Sequence, residues 1–282
     1  RAVQQIVIKN QKSGTGKQVV CGGGAPLMLI TGPCQIESLD HALFCAEKLK
    51  TMAAQAGMGF VYKSSYDKAN RTSMSGERGR GISETLPDFQ KIRDAGFKIL
   101  TDVHTVGQIS RCKGVVDVLQ IPAFLCRQTD LIVEACKSNC IVNIRKGQFL
   151  APWDVKGILS KTEGAKEVWI TERGTSFGYN TLVTDFTGIQ YMRDNFPVPV
   201  VFDVTHSVQK PGGQGDSSGG NRDYVPALAR AAAGMGVDNF FLEVHPDPDN
   251  APSDGPNMLQ LEDFAETVRQ LYQINQTVRS FQ

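Results

Sequence analysis

Four side chains able to hold a transition metal stand far apart in the sequence: Cys34, His206, Glu243 and Asp254. The first three sit in or just past short apolar runs, and Asp254 sits in a Pro-Ser-Asp-Gly turn. One thiolate, one imidazole and two carboxylates form a mixed donor set suited to a borderline divalent ion such as Zn, Fe, Mn or Co. A second set is cationic. Lys63, Lys68, Arg71, Arg127, Lys146 and Arg173 also follow apolar runs, in a chain whose net charge is only +1. Such a local excess suits phosphate and carboxylate groups, which Arg grips bidentately and Lys meets as a point charge. It exceeds what one phosphate needs, so it points to a polyanionic substrate or to two phosphorylated ones. Asp102 and His104 in Thr-Asp-Val-His, with Gln120, Phe124 and Gln148 at similar places, complete the residues open to binding or proton transfer. Singly, each has a plainer role: Cys34 as a buried thiol, His206 as a core imidazole, Asp102 and His104 as turn residues.

These residues need a scaffold that brings distant segments together. Eight apolar strands are expected at 27–31, 59–63, 98–103, 116–121, 141–145, 167–171, 198–204 and 240–244. Between them lie helical patterns at 38–55, 82–95, 106–112, 128–137, 152–161, 183–195 and 222–235, with a last one at 258–278. Several end in a glycine (Gly57, Gly96, Gly114, Gly236), as helix C-termini often do. The alternation predicts an α/β fold, a single (β/α)8 TIM barrel over residues 1–282, with an N-terminal β-hairpin extension over 1–24. Active sites of that fold lie at the carboxyl ends of the strands, where the residues above are found. No glycine fingerprint opens a helix after the first strand, which argues against an open dinucleotide-binding sheet. The glycine-rich stretch 211–220 reads as a loop inside the seventh unit.

Composition bounds the partners. A charge of +1 gives no electrostatic case for nucleic acid or an anionic membrane, and no apolar run approaches the ~20 residues of a membrane span. The chain starts at Arg1 without a secretory leader pattern. Its seven cysteines include no CxxC pair, and Cys45, Cys112, Cys126, Cys136 and Cys140 read as small buried hydrophobes. A reducing, cytoplasmic compartment is expected.

From about Leu27 to Phe264 the motifs together resemble those of the 3-deoxy-D-manno-octulosonate 8-phosphate synthases. They are Gly32-Pro33-Cys34, Asp67-Lys68-Ala69-Asn70-Arg71, Thr101-Asp102-Val103-His104, Gln120-Ile121-Pro122-Ala123-Phe124, Lys146-Gly147-Gln148-Phe149, Glu172-Arg173-Gly174, Asp203-Val204-Thr205-His206 and Glu243-Val244-His245-Pro246 running to Ser253-Asp254-Gly255-Pro256. That family condenses phosphoenolpyruvate with arabinose 5-phosphate, for lipopolysaccharide or cell-wall sugar biosynthesis. The resemblance implies that Lys63, Lys68, Lys146 and Arg173 hold phosphoenolpyruvate. It implies that Asn70, Arg71 and Thr72 hold arabinose 5-phosphate, with Arg127 reaching its phosphate from a neighbouring subunit of a homotetramer. It also implies a divalent metal on Cys34, His206, Glu243 and Asp254, because metal-dependent members carry Cys where metal-independent ones carry Asn. Thr72 stands where Ser is usual, and Arg145 where Lys is frequent, which favours Lys146 as the phosphate ligand. The nearest alternative is 3-deoxy-D-arabino-heptulosonate 7-phosphate synthase, which uses erythrose 4-phosphate. Its relatives carry Lys-Pro-Arg-Thr where this chain has Lys68-Ala69-Asn70-Arg71-Thr72. A metal-dependent hydrolase barrel usually uses several histidines and a bridging carboxylate; this chain has only four histidines, and its cations would be left without a role.

Overall fold

Eight parallel strands form a closed ring: β1 (Met28–Gly32), β2 (Gly59–Lys63), β3 (Ile99–Asp102), β4 (Val118–Ile121), β5 (Ile141–Arg145), β6 (Glu167–Glu172), β7 (Val200–Asp203) and β8 (Asn239–His245). Each pairs with its sequence neighbour, and β8 on β1 shuts the ring. The computed structural model describes residues 6–8, 19–21, 27–213, 215 and 218–281. The (β/α)8 expectation is met. The N-terminal hairpin is present as Ile6–Ile8 paired antiparallel with Val19–Cys21; its expected turn at residues 13–16 lies outside the described residues.

Among the described residues eight helices clothe the ring: α1 (Leu39–Gln55), α2 (Ile82–Asp94), α3 (Val106–Cys112), α4 (Thr129–Lys137), α5 (Val155–Leu159), α6 (Phe186–Asn195), α7 (Val225–Gly234) and α8 (Leu261–Arg279). Local chemistry explains their bounds. Ser38 caps α1 by accepting from the His41 N–H at 3.1 Å. Ala42, Cys45, Ala46, Leu49 and Ala53 then recur at helical spacing and form the buried face. Gly57, Gly96, Gly114 and Gly236 have φ of 68°, 91°, 84° and 90°, the left-handed stop in which a Cβ is strained. The fifth unit is shorter than its pattern, because Pro152–Asp154 is a 3-10 turn before α5. The sixth helix starts later than 183, since Leu182–Val183 pairs with Thr175–Ser176.

Strand alternation makes two cores. Residues facing out, such as Leu29, Tyr62, Leu119 and Phe240, pack under the helices. Residues facing in, Ile30, Val61, Leu100, Val118, Ile141, Trp169, Val201 and Phe241, fill the barrel. The next inward position on each strand, two residues on, lies one layer higher. There the sequence changes to Gly32, Lys63, Asp102, Gln120, Asn143, Thr171, Asp203 and Glu243. The apolar layer is thus the floor of a polar one at the carboxyl ends of the strands. Among the described residues no helix is long and apolar enough to cross a membrane.

Candidate active site and metal centre

The polar layer divides into two hydrogen-bonded halves. One runs from β6 to β2: Thr171 Oγ1 donates to Asn143 Oδ1 (2.7 Å), Asn143 Nδ2 to Gln120 Oε1 (2.8 Å), and Gln120 Nε2 to Asp102 Oδ1 (2.6 Å). Ser65 donates to the other oxygen of Asp102 and accepts from Lys68 Nζ at 3.0 Å. Burial alone would raise the Asp102 pKa; the Lys63, Lys68 and His104 charges and the Ser65 hydroxyl outweigh it and hold it low.

The other half holds the expected metal ligands, and all four converge. Cys34 Sγ donates to Asp254 Oδ2 at 3.0 Å. His206 Nε2 lies 3.6 Å from Asp254 Oδ2 and 3.7 Å from Glu243 Oε2. Ligand atoms of Cys34, Glu243 and Asp254 all lie within 4.8 Å of one another. Glu243 Oε2 is buried without a hydrogen bond, so an acceptor points into the space between the ligands. Burial, then the Asp254 and Glu243 charges, push the Cys34 thiol pKa well up, so without a metal it stays protonated. This donor set fits a borderline divalent ion, whose binding would displace the thiol proton.

The backbone is shaped for this convergence. β7 ends at Asp203, and Val204–Ser207 forms one helical turn rather than an extension of the strand. Asp203 caps that turn through the His206 N–H (3.0 Å) and faces His206 Nδ1 at 2.8 Å. Burial opposes its ionisation, but the His206 and Arg145 charges lower its pKa to about 2. A carboxylate behind the second ring nitrogen is the usual way to orient a ligating histidine. Asp254 sits at φ 54°, a left-handed conformation that Asp tolerates better than most residues.

Above the layer lies a cleft of about 740 Å³. Lys68, Asn70, Arg71, Thr72, Asp102, His104, Phe124, Gln148, Arg173, His206 and Asp254 line it, as expected. Lys63 and Gln120 lie buried beneath it. One expectation is corrected. Lys146 does not reach the cleft: it follows the inward Arg145, so it points outward, and its fully buried ammonium serves the Gly147 and Leu150 carbonyls and Glu172 Oε2 (3.3 Å). Arg145 takes the inward place, ion-paired with Asp203 and lining the cleft. Arg127 is exposed and outside its own chain's cleft. Arg145 and Asp203 were missed as site residues; the two-residue alternation of β5 and β7 was the signal for both.

The cleft floor is built for an anion. Arg173 Nε and Nη1 and Arg145 Nε are buried donors without a hydrogen-bond partner. Burial and the neighbouring Arg145 charge lower Arg173 to about 10, still cationic at neutral pH. An entering phosphate or carboxylate would satisfy these donors and relieve the repulsion between the two guanidinium groups.

Residues 5–280 match the family model described as the DAHP synthetase I family. This chain belongs to that family. It is 55% identical over 265 residues, 93% of this chain and 94% of the relative, to the 2-dehydro-3-deoxyphosphooctonate aldolase of Bartonella bacilliformis. The same-named proteins of Caulobacter vibrioides and Rhodopseudomonas palustris are 53% identical over 274 residues and 54% over 257. Those matches cover 96% and 90% of this chain, and 95% and 90% of the relatives.

Proposed function

We propose that this chain condenses phosphoenolpyruvate with D-arabinose 5-phosphate and water, giving 3-deoxy-D-manno-octulosonate 8-phosphate and inorganic phosphate. The observation that carries the reading is the cleft floor, where unpartnered buried guanidinium donors lie beside a metal-type donor cluster. The shared name of relatives at 53–55% identity supports the same condensation.

Phosphoenolpyruvate is a masked enol. Its methylene carbon bonds to the aldehyde carbon of the sugar, the carbonyl π pair moves to oxygen, and positive charge develops at the central carbon. Water adds there and loses a proton, while the former aldehyde oxygen gains one. Phosphate then leaves with its bridging oxygen and the electron pair of the carbon–oxygen bond, while the new hydroxyl loses its proton and its oxygen closes the ketone. The chain's first task is to hold two anions together in attack geometry. Arg173 and Arg145, with Lys68 opposite and Lys63 beneath, hold phosphoenolpyruvate; Arg145 takes the role that Lys146 is too deeply buried to play. Asn70, Arg71 and Thr72 hold the sugar phosphate, with Phe124 and Gln148 on the far wall. Burial lowers the pKa of His104, so its neutral imidazole can take the proton from water, and Asp102 fixes the cationic side of that wall. Lys68, whose ammonium is favoured against burial by the Cys34 sulfur and the Glu243, Asp102 and Asp254 carboxylates, is the donor to the aldehyde oxygen. Cys34, His206, Glu243 and Asp254 hold a divalent ion, which supplies Lewis acidity to a substrate oxygen when bound. The chain works as a cytoplasmic homotetramer, in which the exposed Arg127 reaches a neighbouring subunit's sugar phosphate.

The test is phosphate release from phosphoenolpyruvate with arabinose 5-phosphate or erythrose 4-phosphate, before and after chelation. Turnover with arabinose 5-phosphate that chelation removes is expected. Turnover with erythrose 4-phosphate alone would overturn the reading.

A further inference from the structure

A second group of ligand-type side chains stands beside the first, outside the cleft. Glu37, His41 and His245 bring their ligand atoms within 4.8 Å of one another. Their hydrogen bonds decide what the group can do. His245 Nδ1 accepts the Asp247 backbone N–H at 2.9 Å, which places the ring proton on Nε2. Nε2 then faces Glu37 Oε1 at 2.7 Å as a donor, with no lone pair left for a metal. His41 lies farther off, 3.8 Å from the same carboxylate oxygen.

The place of this bond in the fold gives it a use. Glu37 comes three residues after Cys34, and His245 two residues after Glu243. Parallel pairing of β1 with β8 ends at the Gly32–Glu243 register pair. Beyond it, the loop bearing Cys34 is held to the β2 side by Ile36 N–H to Ser65 O (3.0 Å) and Ser65 N–H to Cys34 O (3.3 Å). Toward β8 and its following loop, the side chains of this segment make the hydrogen bonds Cys34–Asp254, Ser253–Cys34 and His245–Glu37. The first is lost when the thiol gives up its proton to a metal, and the second ends on the sulfur itself. Lys63 Nζ bridges the same seam from below, between the Cys34 carbonyl and Glu243 Oε1. Among the described residues, Glu37–His245 is the side-chain hydrogen bond across it that involves none of the four ligand residues.

We propose that Glu37 and His245 are positioning residues for the metal centre: their hydrogen bond fixes the Cys34 loop against β8 and so sets the separation of the Cys34 and Glu243 ligands. The inference rests on the metal-centre reading above. Partners that orient ligands without touching the ion typically change metal affinity by about 10- to 100-fold when removed.

The experiment is titration of the metal-stripped full chain with Co²⁺, read by the thiolate-to-cobalt absorption band, with the melting temperature of the stripped protein as a folding control. Glu37→Ala and His245→Ala should each raise the Kd about tenfold or more, and the double variant should do no worse than either single one. Glu37→Gln, whose amide oxygen still accepts from Nε2, should recover most of the affinity. Melting temperatures of the stripped variants should stay near the parent's; if Glu37→Ala fails to fold, Glu37→Gln against His245→Ala carries the comparison. Parent-like affinity in both alanine variants overturns the inference, as does Glu37→Gln behaving like Glu37→Ala. So would a second Co²⁺ equivalent that His41→Ala removes, since the trio would then be a metal site itself. If the parent shows no thiolate band, the metal-centre reading fails first and takes the inference with it.

Discussion

Lys63 Nζ and Glu243 Oε1 are 2.6 Å apart, although their strands are not neighbours. β1 lies between β2 and β8, and its residue at that level is Gly32, which pairs with Glu243. A Cβ on Gly32 would lie 2.0 Å from the Lys63 carbonyl oxygen, so only glycine permits this close approach. Lys63 Nζ also donates to the Cys34 carbonyl at 2.9 Å. A single buried cation therefore braces two of the four metal-type ligands from below, and links the ligand half of the polar layer to β2, whose following loop carries Lys68.

Removing that cation should be costly. Lys63→Met leaves the Glu243 carboxylate, fully buried, without its nearest countercharge, a loss of about 3–5 kcal/mol for a buried pair broken on one side. A urea unfolding midpoint that falls accordingly, with phosphate release at background, is the expected result. Lys63→Met combined with Glu243→Leu should recover much of the stability and none of the activity, since neither charge is then left alone.

Replacing a metal-type ligand should separate stability from chemistry. Cys34→Ala removes a buried thiol of small volume, and the fold should tolerate it with a cost of about 1 kcal/mol. Bound metal after dialysis, and turnover with phosphoenolpyruvate and arabinose 5-phosphate, should both fall by about 100-fold or more. Full turnover in a chelated Cys34→Ala protein would contradict the assignment.

The acid limb of the stability curve should report Asp102. Its pKa is lowered from the ordinary 3.8 by Lys63, Lys68, His104 and Ser65, which overcome its burial. A depressed carboxylate stabilises the fold above its unfolded pKa, and that contribution fades as the pH falls through the folded value. Below about pH 4 the parent should therefore lose stability more steeply than Asp102→Asn. Parallel curves in denaturant titrations from neutral to acidic pH would contradict this.

Much of this was legible in the sequence, for a specific reason. Apolar runs of four to seven residues, each followed by a polar or charged residue, mark buried parallel strands and their carboxyl ends, so the barrel and the four metal-type ligands could be placed from residue types. What stayed hidden was facing. Within Asn143-Ile144-Arg145-Lys146 two cations are adjacent, and a one-residue difference sends one into the barrel and the other behind it. Glu172 and Arg173 split in the same way, Glu172 turning outward to Lys146. His206 needed a turn of helix that no strand pattern announces; its signal was Asp203, a capping residue three positions earlier.

The split between Arg145 and Lys146 can be tested directly. Arg145 lines the cleft with its Nε unpartnered, and its ion pair with Asp203 connects it to His206. Arg145→Met should therefore raise the KM for phosphoenolpyruvate and lower kcat together, by about 10- to 100-fold overall, the worth of one charged hydrogen-bonding group. Arg145→Lys should keep much of the activity, because a point charge still faces the anion. Lys146 bonds two carbonyls and Glu172 in a fully buried pocket, so Lys146→Met should strand those acceptors and lower the unfolding midpoint. Its KM for phosphoenolpyruvate should stay near the parent's at a temperature where it is folded. The reverse result, a binding defect in Lys146→Met and none in Arg145→Met, would mean that the cleft takes its phosphate from the opposite face of β5.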